Sequence, residues 1–289
     1  ADDLCGLVIH LNTKGIKHAI VGDCVEVCFA AGENWHQGVL TTLQRGWYGL
    51  ENLSLIPGNM GAAPIQNIGA YGVELADLFV SLSAIEIATG KHCEFDKAAC
   101  EFAYRDSLFK NSARDKYIIV DITLRLSTSP AVNTSYPALA AAAAEAGLDG
   151  DLTPQVVSQL VCQIRSQKLP DPAVTPNAGS FFKNPVVAGS TAAALLEQYP
   201  QMPSYPQPDQ RKKIPAAWLI DQCGFKGVRR GSVGVHKNQA LVLVNYLSDG
   251  GGTGEQLLKL SEELRDAVWD RFAIRLEIEP RVYGPSGKG

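Results

Sequence analysis

Three kinds of polar side chain in this sequence could do chemistry. Ser180 follows a glycine and precedes two phenylalanines, and a site that fixed its rotamer could use its hydroxyl as a proton donor. The alternative is a turn serine that caps a local N–H, and the surrounding residues do not match the Gly-x-Ser-x-Gly nucleophile elbow. Arg105 could bind a carboxylate or a phosphate bidentately, or form a surface ion pair. Glu277 and Glu279 would share one face of a strand, as a buried acid or as solvated side chains.

A stretch rich in glycine and other small residues could hold a ligand. Residues 49–72 contain glycine at positions 49, 58, 61, 69 and 72, together with two prolines. Small residues let the backbone approach a ligand closely, and free N–H groups can cradle a phosphate or the edge of a heteroaromatic ring. A tight loop between packed elements would have the same composition. The stretch is neither a Gly-x-Gly-x-x-Gly motif after a strand nor a P-loop.

Positive charge recurs between positions 168 and 213. The residues are Lys168, Lys183, Arg211, Lys212 and Lys213. In a chain whose net charge is -4, they could bind an anionic small substrate or form a solvated basic turn. The acidic balance argues against nucleic-acid binding by broad neutralisation of phosphates. No apolar run reaches the roughly 18 residues of a membrane span, and no signal peptide is visible at the N-terminus.

The cysteines and histidines indicate no metal site. The seven cysteines, including Cys5, are widely spaced, and Cys24 and Cys28 are the closest pair. Both would lie on one face of a strand, and a zinc site would need a second pair that the sequence lacks. The five histidines show no ligand spacing. We therefore expect no metal, and reduced, structural cysteines in a cytoplasmic compartment.

The elements that must position these residues mix helices with strands. The length of 289 residues suggests two domains at about 150 residues each, with a linker at 168–172. Alternation and turn residues predict strands at 6–11, 24–31, 79–88, 117–126 and 240–245. Apolar spacing and capping residues predict helices at 34–43, 137–147, 153–167, 191–198, 216–222 and 255–271.

Several longer motifs occur together in one order. They are Gly-Glu-Asn-Trp at 32–35, the runs at 49–58 and 64–72, Tyr-Arg-Asp-Ser-Leu-Phe-Lys at 104–110, Lys-Leu-Pro-Asp-Pro at 168–172, Asn-Ala-Gly-Ser-Phe-Phe-Lys-Asn-Pro at 177–185, and the runs at 218–223 and 235–245. Through them, residues 1–284 resemble the UDP-N-acetylenolpyruvoylglucosamine reductases of type I, the UDP-N-acetylmuramate dehydrogenases. The family's N-terminal Gly-Ser-Asn loop, which binds the FAD pyrophosphate, is not in this sequence, and we expect a truncated chain.

The resemblance implies an α+β fold and an oxidoreductase of peptidoglycan synthesis. A FAD-binding domain of the vanillyl-alcohol-oxidase type, without its N-terminal subdomain, would span 1–170 and include the type I loop region at about 127–167. A smaller α+β substrate-binding domain would span 171–279, followed by a tail at 280–289. With FAD and NADPH as cofactors, the family reduces UDP-N-acetylglucosamine enolpyruvate to UDP-N-acetylmuramate. We expect a monomer in the bacterial cytoplasm, with no nucleic acid or membrane as partner.

The resemblance also assigns roles to residues. Ser180 would be the proton donor, and Arg105 and Glu279 would stabilise the enolate-like intermediate. Glu279 is preferred to Glu277 because Arg281 sets the register of the family's Glu-x-Arg motif, although Pro280 departs from it. The residues expected to contact substrate or NADPH are Tyr71, Tyr136, Lys168, Asn184, Tyr205, Lys213 and Gln239. The residues expected at the flavin are Pro57, Gly58, Gly61, Ala62, Ala63, Pro64, Ile68, Gly69 and Ala70.

Two other functions stay open at this point. The missing Gly-Ser-Asn loop would suit a flavin-free module that binds a UDP-sugar, or an inactive fragment. Another flavoenzyme with the same type of FAD domain, such as a carbohydrate oxidase, is a further alternative. The motifs at 168–172 and 177–185 argue against the oxidase because they belong to the substrate half of the reductase.

Overall fold

A computed structural model describes residues 8–148 and 152–284. They form two compact units, one at Ile9–Arg165 and one that holds the residues from Ser166 onward together with Val8. Every strand pairing in the described residues is antiparallel. With the helices outside these sheets, the fold is α+β, as the resemblance implies.

The first unit is built on a five-stranded sheet. Its elements, in chain order, are β1 (Ile16–Val21), β2 (Cys24–Ala30), α1 (Trp35–Gln44), β3 (Gly69–Ala70), β4 (Val73–Glu74), α2 (Leu75–Leu78), β5 (Phe79–Glu86), β6 (His92–Asp96), β7 (Tyr117–Ser127), α3 (Pro137–Glu145) and α4 (Pro154–Lys168), and α4 continues past the end of this unit. The strand order is β1-β2-β7-β5-β6. β2 alternates so that Val25, Val27 and Phe29 are buried, while Cys24 and Cys28 lie on the opposite face.

Helix ends in the first unit follow from local sequence. Asn34 caps α1, because its side chain accepts a hydrogen bond from the N–H of Gln37 at 3.0 Å. α3 and α4 pack together through a small apolar cluster that contains Leu139, Val157 and Val161. The predictions for helices at 34–43, 137–147 and 153–167 are confirmed to within two residues at each end.

The second unit has two smaller sheets and its own core. Its elements are β8 (Asn177–Ser180), β9 (Val186–Val187), α5 (Gly189–Gln198), β10 (Tyr205–Pro206), β11 (Lys212–Lys213), α6 (Ala216–Gln222), β12 (Arg229–Arg230), β13 (Val233–Val235), β14 (Val242–Asn245) and α7 (Gly254–Phe272). The sheets have the orders β12-β13-β14-β8 and β10-β11-β9. α7 begins at a capping box of Thr253 and Gln256 and buries Leu260, Leu264 and Val268, as its spacing predicts.

Two strand predictions need correction. The predicted strand at 6–11 is wrong for residues 8–11, which have no regular structure; Val8 and Ile9 are exposed and make no strand pairing, while residues 6 and 7 lie outside the described residues. The predicted strand at 240–245 begins only at Val242, because residues 240 and 241 form a turn. The two-residue strands were not predicted, since they are too short to show alternation.

The described cysteines form no disulfide, and Cys5 lies outside the described residues. Cys100 is fully buried, and this burial raises the pKa of its thiol to about 12. Within 8–148 and 152–284, no three His, Cys, Asp or Glu side chains are grouped so as to hold a metal ion. In the same residues, no helix is long and apolar enough to span a bilayer.

Candidate active site

The small residues of the 57–72 loop differ in what surrounds them. Gly58 is exposed, its φ is +107°, and no atom lies within 4 Å of the place where a Cβ would be. Gly61 instead packs on the sheet, because a Cβ there would lie 2.5 Å from the Cβ of Ala31. Pro57 and Ala62 are exposed, whereas Ala63 is 2% exposed and belongs to the core. Only the exposed members offer a side-chain surface to a ligand. If Ala63 contacts the flavin, as the sequence analysis predicts, it must do so through its backbone.

Asn67 holds the end of this loop in place. The loop passes through a 3-10 helix, Met60–Gln66, in which Pro64 is buried, and ends at Asn67 in the left-handed region. The buried amide of Asn67 donates to Glu74 Oε2 at 2.8 Å and to the carbonyl of Ala103 at 3.1 Å, and its Oδ1 accepts from Ala76 N at 2.9 Å. Because all three bonds are made in the folded state, the half-buried Ile68, Gly69 and Ala70 that follow have a fixed path.

A tight turn aims Arg105 at this path. Ala103 and Asp106 exchange two backbone hydrogen bonds of 3.1 Å, and Arg105 between them has a φ of +54°. Its Nη2 donates to the carbonyl of Gly69 at 2.6 Å. Ser107, which is fully buried, anchors the turn from the other side by donating to the carbonyl of Ile65 at 2.7 Å. The motif at 104–110 thus places the half-buried guanidinium of Arg105 on the 57–72 loop.

Tyr71 and Tyr136 lie together beside Arg165. Their rings are 5.3 Å apart and edge to face, and Tyr136 is partly exposed on the segment before α3. Tyr71 has a φ of +49°, and the buried Asn52 holds its carbonyl with a hydrogen bond of 2.8 Å. Burial raises the pKa of the Tyr71 hydroxyl, although the charge of Arg165 and a hydrogen bond to it oppose this. The structure therefore brings Arg105, Tyr71 and Tyr136 into one unit.

Arg165 is a functional candidate that the sequence analysis missed. It lies on α4 four residues after the fully buried Val161, and burial lowers the pKa of its guanidinium. In the part of the chain that the structure describes, the groups that shift its pKa are the Tyr71 hydroxyl, the Cys162 thiol and the Arg105 guanidinium, and none of them is a carboxylate. An arginine in register with the buried stripe of a helix was the available signal, since such a position normally holds an apolar residue.

Ser180 ends a strand of the second unit. β8 pairs with β14, and Ser180 lies opposite Val242. The next two residues, Phe181 and Phe182, are core residues whose rings are 5.2 Å apart, so they anchor the backbone directly after the serine. Gly179 before it has a φ of +71°, which explains the glycine at that position. Ser180 itself is half-buried.

The chain end pairs with the segment after Ser180 and orders the two glutamates. The N–H of Glu279 donates to the carbonyl of Phe181 at 2.9 Å, and the N–H of Lys183 donates to that of Glu277 at 2.9 Å. Glu277 is 68% exposed in its side chain and forms an ion pair with Lys183 at 2.5 Å. Glu279 is half-buried and lies across from the residue next to Ser180. This arrangement supports Glu279 as the functional carboxylate.

Pro280 fits this pairing without loss. Along the chain end, the backbone groups that bond to the partner segment are the carbonyl of Glu277 and the N–H of Glu279, two residues apart. The N–H at position 280 would point away from it, so that a proline there removes no ladder bond. The departure from the family motif is therefore structurally neutral.

The remaining predicted substrate residues are spread over the second unit and the end of α4. Lys213 lies opposite Tyr205 in the β10–β11 pair, with Tyr205 exposed and Lys213 half-buried. The Oδ1 of Asn184 accepts from the N–H of Ala216 at 2.9 Å and so caps α6. Gln239 is half-buried, and Lys168 is exposed at the last position of α4.

Two family models match separate parts of the chain. Residues 3–96 match the family model described as FAD binding domain. Residues 171–283 match the UDP-N-acetylenolpyruvoylglucosamine reductase, C-terminal domain. A reductase of the latter name from Thermus caldophilus has a similar fold, with a TM-score of 0.60 at 21% identity, over 89% of this chain and 72% of that one. The α+β fold and the match to a FAD-binding family together define the class of protein as a flavoprotein.

The sequence relatives are closer. UDP-N-acetylenolpyruvoylglucosamine reductase of Pseudomonas fluorescens is 47% identical over 282 residues, which are 97% of this chain and 82% of that protein. The reductase of the same name from Chromobacterium violaceum is 48% identical over the same shares. This chain belongs to the UDP-N-acetylenolpyruvoylglucosamine reductase family.

The residues present fit a flavin at the 57–72 loop. Gly58 has open space where a side chain would stand, and Pro57 and Ala62 are exposed beside it. Arg105 closes the far end of the loop at the carbonyl of Gly69. A planar ring can approach the backbone at Gly58, because no atom lies within 4 Å of the place where its Cβ would be.

Proposed function

We propose that this chain catalyses the NADPH-dependent reduction of UDP-N-acetylglucosamine enolpyruvate to UDP-N-acetylmuramate, a step of peptidoglycan synthesis. FAD and NADPH are the cofactors of this reductase, and the substrate is a small molecule. One geometric observation carries the proposal. The N–H of Glu279 is bonded to the carbonyl of Phe181, next to Ser180, so that an acid and a hydroxyl come from neighbouring positions of one ladder.

The residues divide the chemistry between them. When FAD is bound, the chemistry it supplies is hydride transfer from NADPH to the enolpyruvyl double bond. Ser180 donates its hydroxyl proton to the neighbouring carbon, and the resulting alkoxide recovers a proton from solvent. Arg105 and Glu279 stabilise the negative charge that develops toward the substrate carboxylate. A protonated Glu279 could donate a hydrogen bond to that charge, whereas an ionised one would repel it.

Other residues bind and orient the substrate in this proposal. Lys213 and Lys168 attract the diphosphate by charge. Tyr71, Tyr136, Tyr205, Asn184 and Gln239 supply polar contacts to the substrate or to NADPH. Because Asn184 Oδ1 already accepts from Ala216, its Nδ2 group is the part left to donate. Pro57, Gly58, Gly61, Ala62, Ala63, Pro64, Ile68, Gly69 and Ala70 would line the flavin.

We also propose the larger organisation from the family. The FAD-binding domain would span 1–170, the substrate-binding domain 171–279, and the tail 280–289, of which residues 285–289 lie outside the described part. The protein would act as a monomer in the bacterial cytoplasm, without nucleic acid or membrane. The alternative of a flavin-free binding module is not favoured, because residues 3–96 match a FAD-binding family.

Rapid kinetics on Ser180→Ala tests the proposal. The variant should keep the flavin reduction by NADPH and lose roughly 100- to 10,000-fold in the rate of flavin reoxidation by substrate, since only the second step needs the proton. The exposed Ser190 on α5 offers a matched control, and Ser190→Ala should leave both steps unchanged. Equal loss in both half-reactions would remove Ser180 from its role. A parent chain that takes up FAD but never reoxidises with substrate would refute the activity.

A further inference from the structure

Leu55 has an unusual backbone whose two polar groups are both held by side chains. Its φ is +59°, a conformation that leucine rarely adopts. Its N–H donates to Nδ1 of His36 on α1 at 3.0 Å. Its carbonyl accepts from Nε of Arg165 on α4 at 3.2 Å. The strained residue thus links an imidazole to a guanidinium, and we name these three residues the Leu55 bridge.

The guanidinium at one end of the bridge has its charge uncompensated by any carboxylate. In the described part of the chain, Arg165 forms no ion pair, and the side chains that interact with it are the Tyr71 hydroxyl, the Cys162 thiol, His36 and a second cation, Arg105. Leaving a desolvated charge without a counter-ion is costly, and the nearby positive charge of Arg105 adds to that cost. Such an arrangement is stabilised when an anionic ligand enters.

We propose that His36 is a positioning residue, which fixes Arg165 through Leu55 so that Arg165 joins Arg105 as a second cation for the substrate carboxylate. The inference rests on the proposed function, because that function supplies the carboxylate and Arg105 as its first cation. It adds Arg165 as a second cation to that function and His36 as the residue that positions it.

The chemistry of His36 suits this task. Nδ1 can accept the Leu55 N–H only if it carries no proton, so the imidazole must be neutral, with its hydrogen on Nε2. Burial lowers the pKa of His36, and the charge of Arg165 acts in the same direction. Asparagine places an amide oxygen close to where Nδ1 lies, whereas leucine fills the space without an acceptor. A comparison of the two variants therefore distinguishes the effect of the lost hydrogen bond from the effect of altered packing.

Calorimetric titration of the purified chain without added flavin tests the proposal. The two ligands are UDP-N-acetylmuramate, which carries the carboxylate, and UDP-N-acetylglucosamine, which lacks it. His36→Leu should lower the affinity ratio of the first ligand to the second by about tenfold. His36→Asn should retain the parent ratio. Arg165→Met should lower the ratio as His36→Leu does, and the double variant should lower it no further.

Three results would overturn the proposal. Equal weakening of both ligands by His36→Leu would show a merely structural role. Loss of the ratio in His36→Asn would show that the acceptor is not the cause. Binding of neither ligand by the parent chain would refute the proposed function and this inference with it. The first two results would refute the inference alone, because the parent chain still binds both ligands in them.

A measurement on the unaltered protein guards against misfolded variants. Nitrogen NMR of the imidazole should show the Nε2–H tautomer for His36. A proton on Nδ1 would contradict the Leu55 bridge whatever the variants do.

Discussion

Gly69 lacks a side chain because the guanidinium of Arg105 occupies the adjacent space. A Cβ at this position would lie 3.0 Å from Nη1 of Arg105 and 2.9 Å from Cγ of Glu74. Gly61 is small for a different reason, its contact with Ala31, and Gly58 has open space around it. Gly69 therefore leaves room for Arg105, Gly61 packs against Ala31, and Gly58 lies at an open surface. Their composition alone could not distinguish these roles.

Replacing Gly69 by alanine should impair the reaction through Arg105. The added methyl must displace the guanidinium or Glu74, at a cost of about 1–3 kcal/mol. We expect a lower kcat/KM for the enolpyruvyl substrate in steady-state assays at equal flavin content of variant and parent. Gly254→Ala is the control, since no atom lies within 4 Å of its Cβ position and it begins a helix. If Gly69→Ala kept the parent kcat/KM, Arg105 would not depend on this contact.

Lys213 offers a comparison within one strand. Lys212 and Lys213 are neighbours in β11, so their side chains point to opposite faces. Lys213→Ala should raise KM for the substrate about tenfold and change kcat less, because a charged hydrogen bond to the diphosphate is lost. Lys212→Ala should leave KM within about twofold of the parent. An unchanged KM in Lys213→Ala, or equal effects of the two variants, would remove Lys213 from substrate binding.

At the scale of elements, α4 is fixed to the segment before the ligand loop by a buried polar contact. The hydroxyls of Ser54 and Ser158 are 2.7 Å apart and both residues are buried. The same segment carries Leu55, which Arg165 of α4 also contacts. The helix that carries Arg165 is therefore held at two consecutive residues of this segment, Ser54 and Leu55.

Removal of one hydroxyl from this pair should destabilise the first unit. Ser158→Ala leaves the Ser54 hydroxyl buried without a partner, which costs about 1–3 kcal/mol. The double variant with Ser54→Ala should lose less than the sum of the single losses, because no polar group is then left unpaired. Urea unfolding followed by tryptophan fluorescence measures all three variants. Additive losses would show that the hydroxyls do not interact.

Sequence patterns predicted the longer elements because their signals are local. The Asn34 cap and the capping box of α7 lie within four residues of the helices they begin. The alternation of β2 likewise records which face is buried. The strand predicted at 6–11 is wrong at residues 8–11, because an apolar run does not by itself provide a pairing partner.

The candidate site was only partly readable in the sequence. Ser180 and Arg105 stand in distinctive motifs. Arg165 and His36 contact Leu55 only in the fold, from 110 and from 19 positions away respectively. Such contacts depend on the packing of α1 and α4, which a single sequence does not encode locally. The structural role of Asn67 was not predicted for the same reason, since its partners at 74, 76 and 103 contact it only in the fold.

At the scale of the whole molecule, each unit has its own apolar core. One core contains Val27, Phe29 and Leu124 of the central sheet, and the other contains Val235, Leu243 and Leu264. Two separate cores allow the units to unfold as separate steps. A ligand that binds one folded unit then stabilises that unit by mass action.

FAD should consequently protect one unit and not the other from hydrogen exchange. With FAD at 100 times its Kd, the unfolding of the unit that binds it becomes harder by about 2.7 kcal/mol. Core amides of β2 and β7 should therefore exchange roughly a hundredfold more slowly, while those of β13 and β14 keep their rates. Mass spectrometry of peptides from both sheets, with and without FAD, gives the comparison within one sample. Equal slowing in both sheets would mean that the units unfold as one, and slowing in neither would mean that FAD does not bind the chain. Slowing confined to β13 and β14 would place the flavin on the wrong unit, because the loop at 57–72 belongs to Ile9–Arg165.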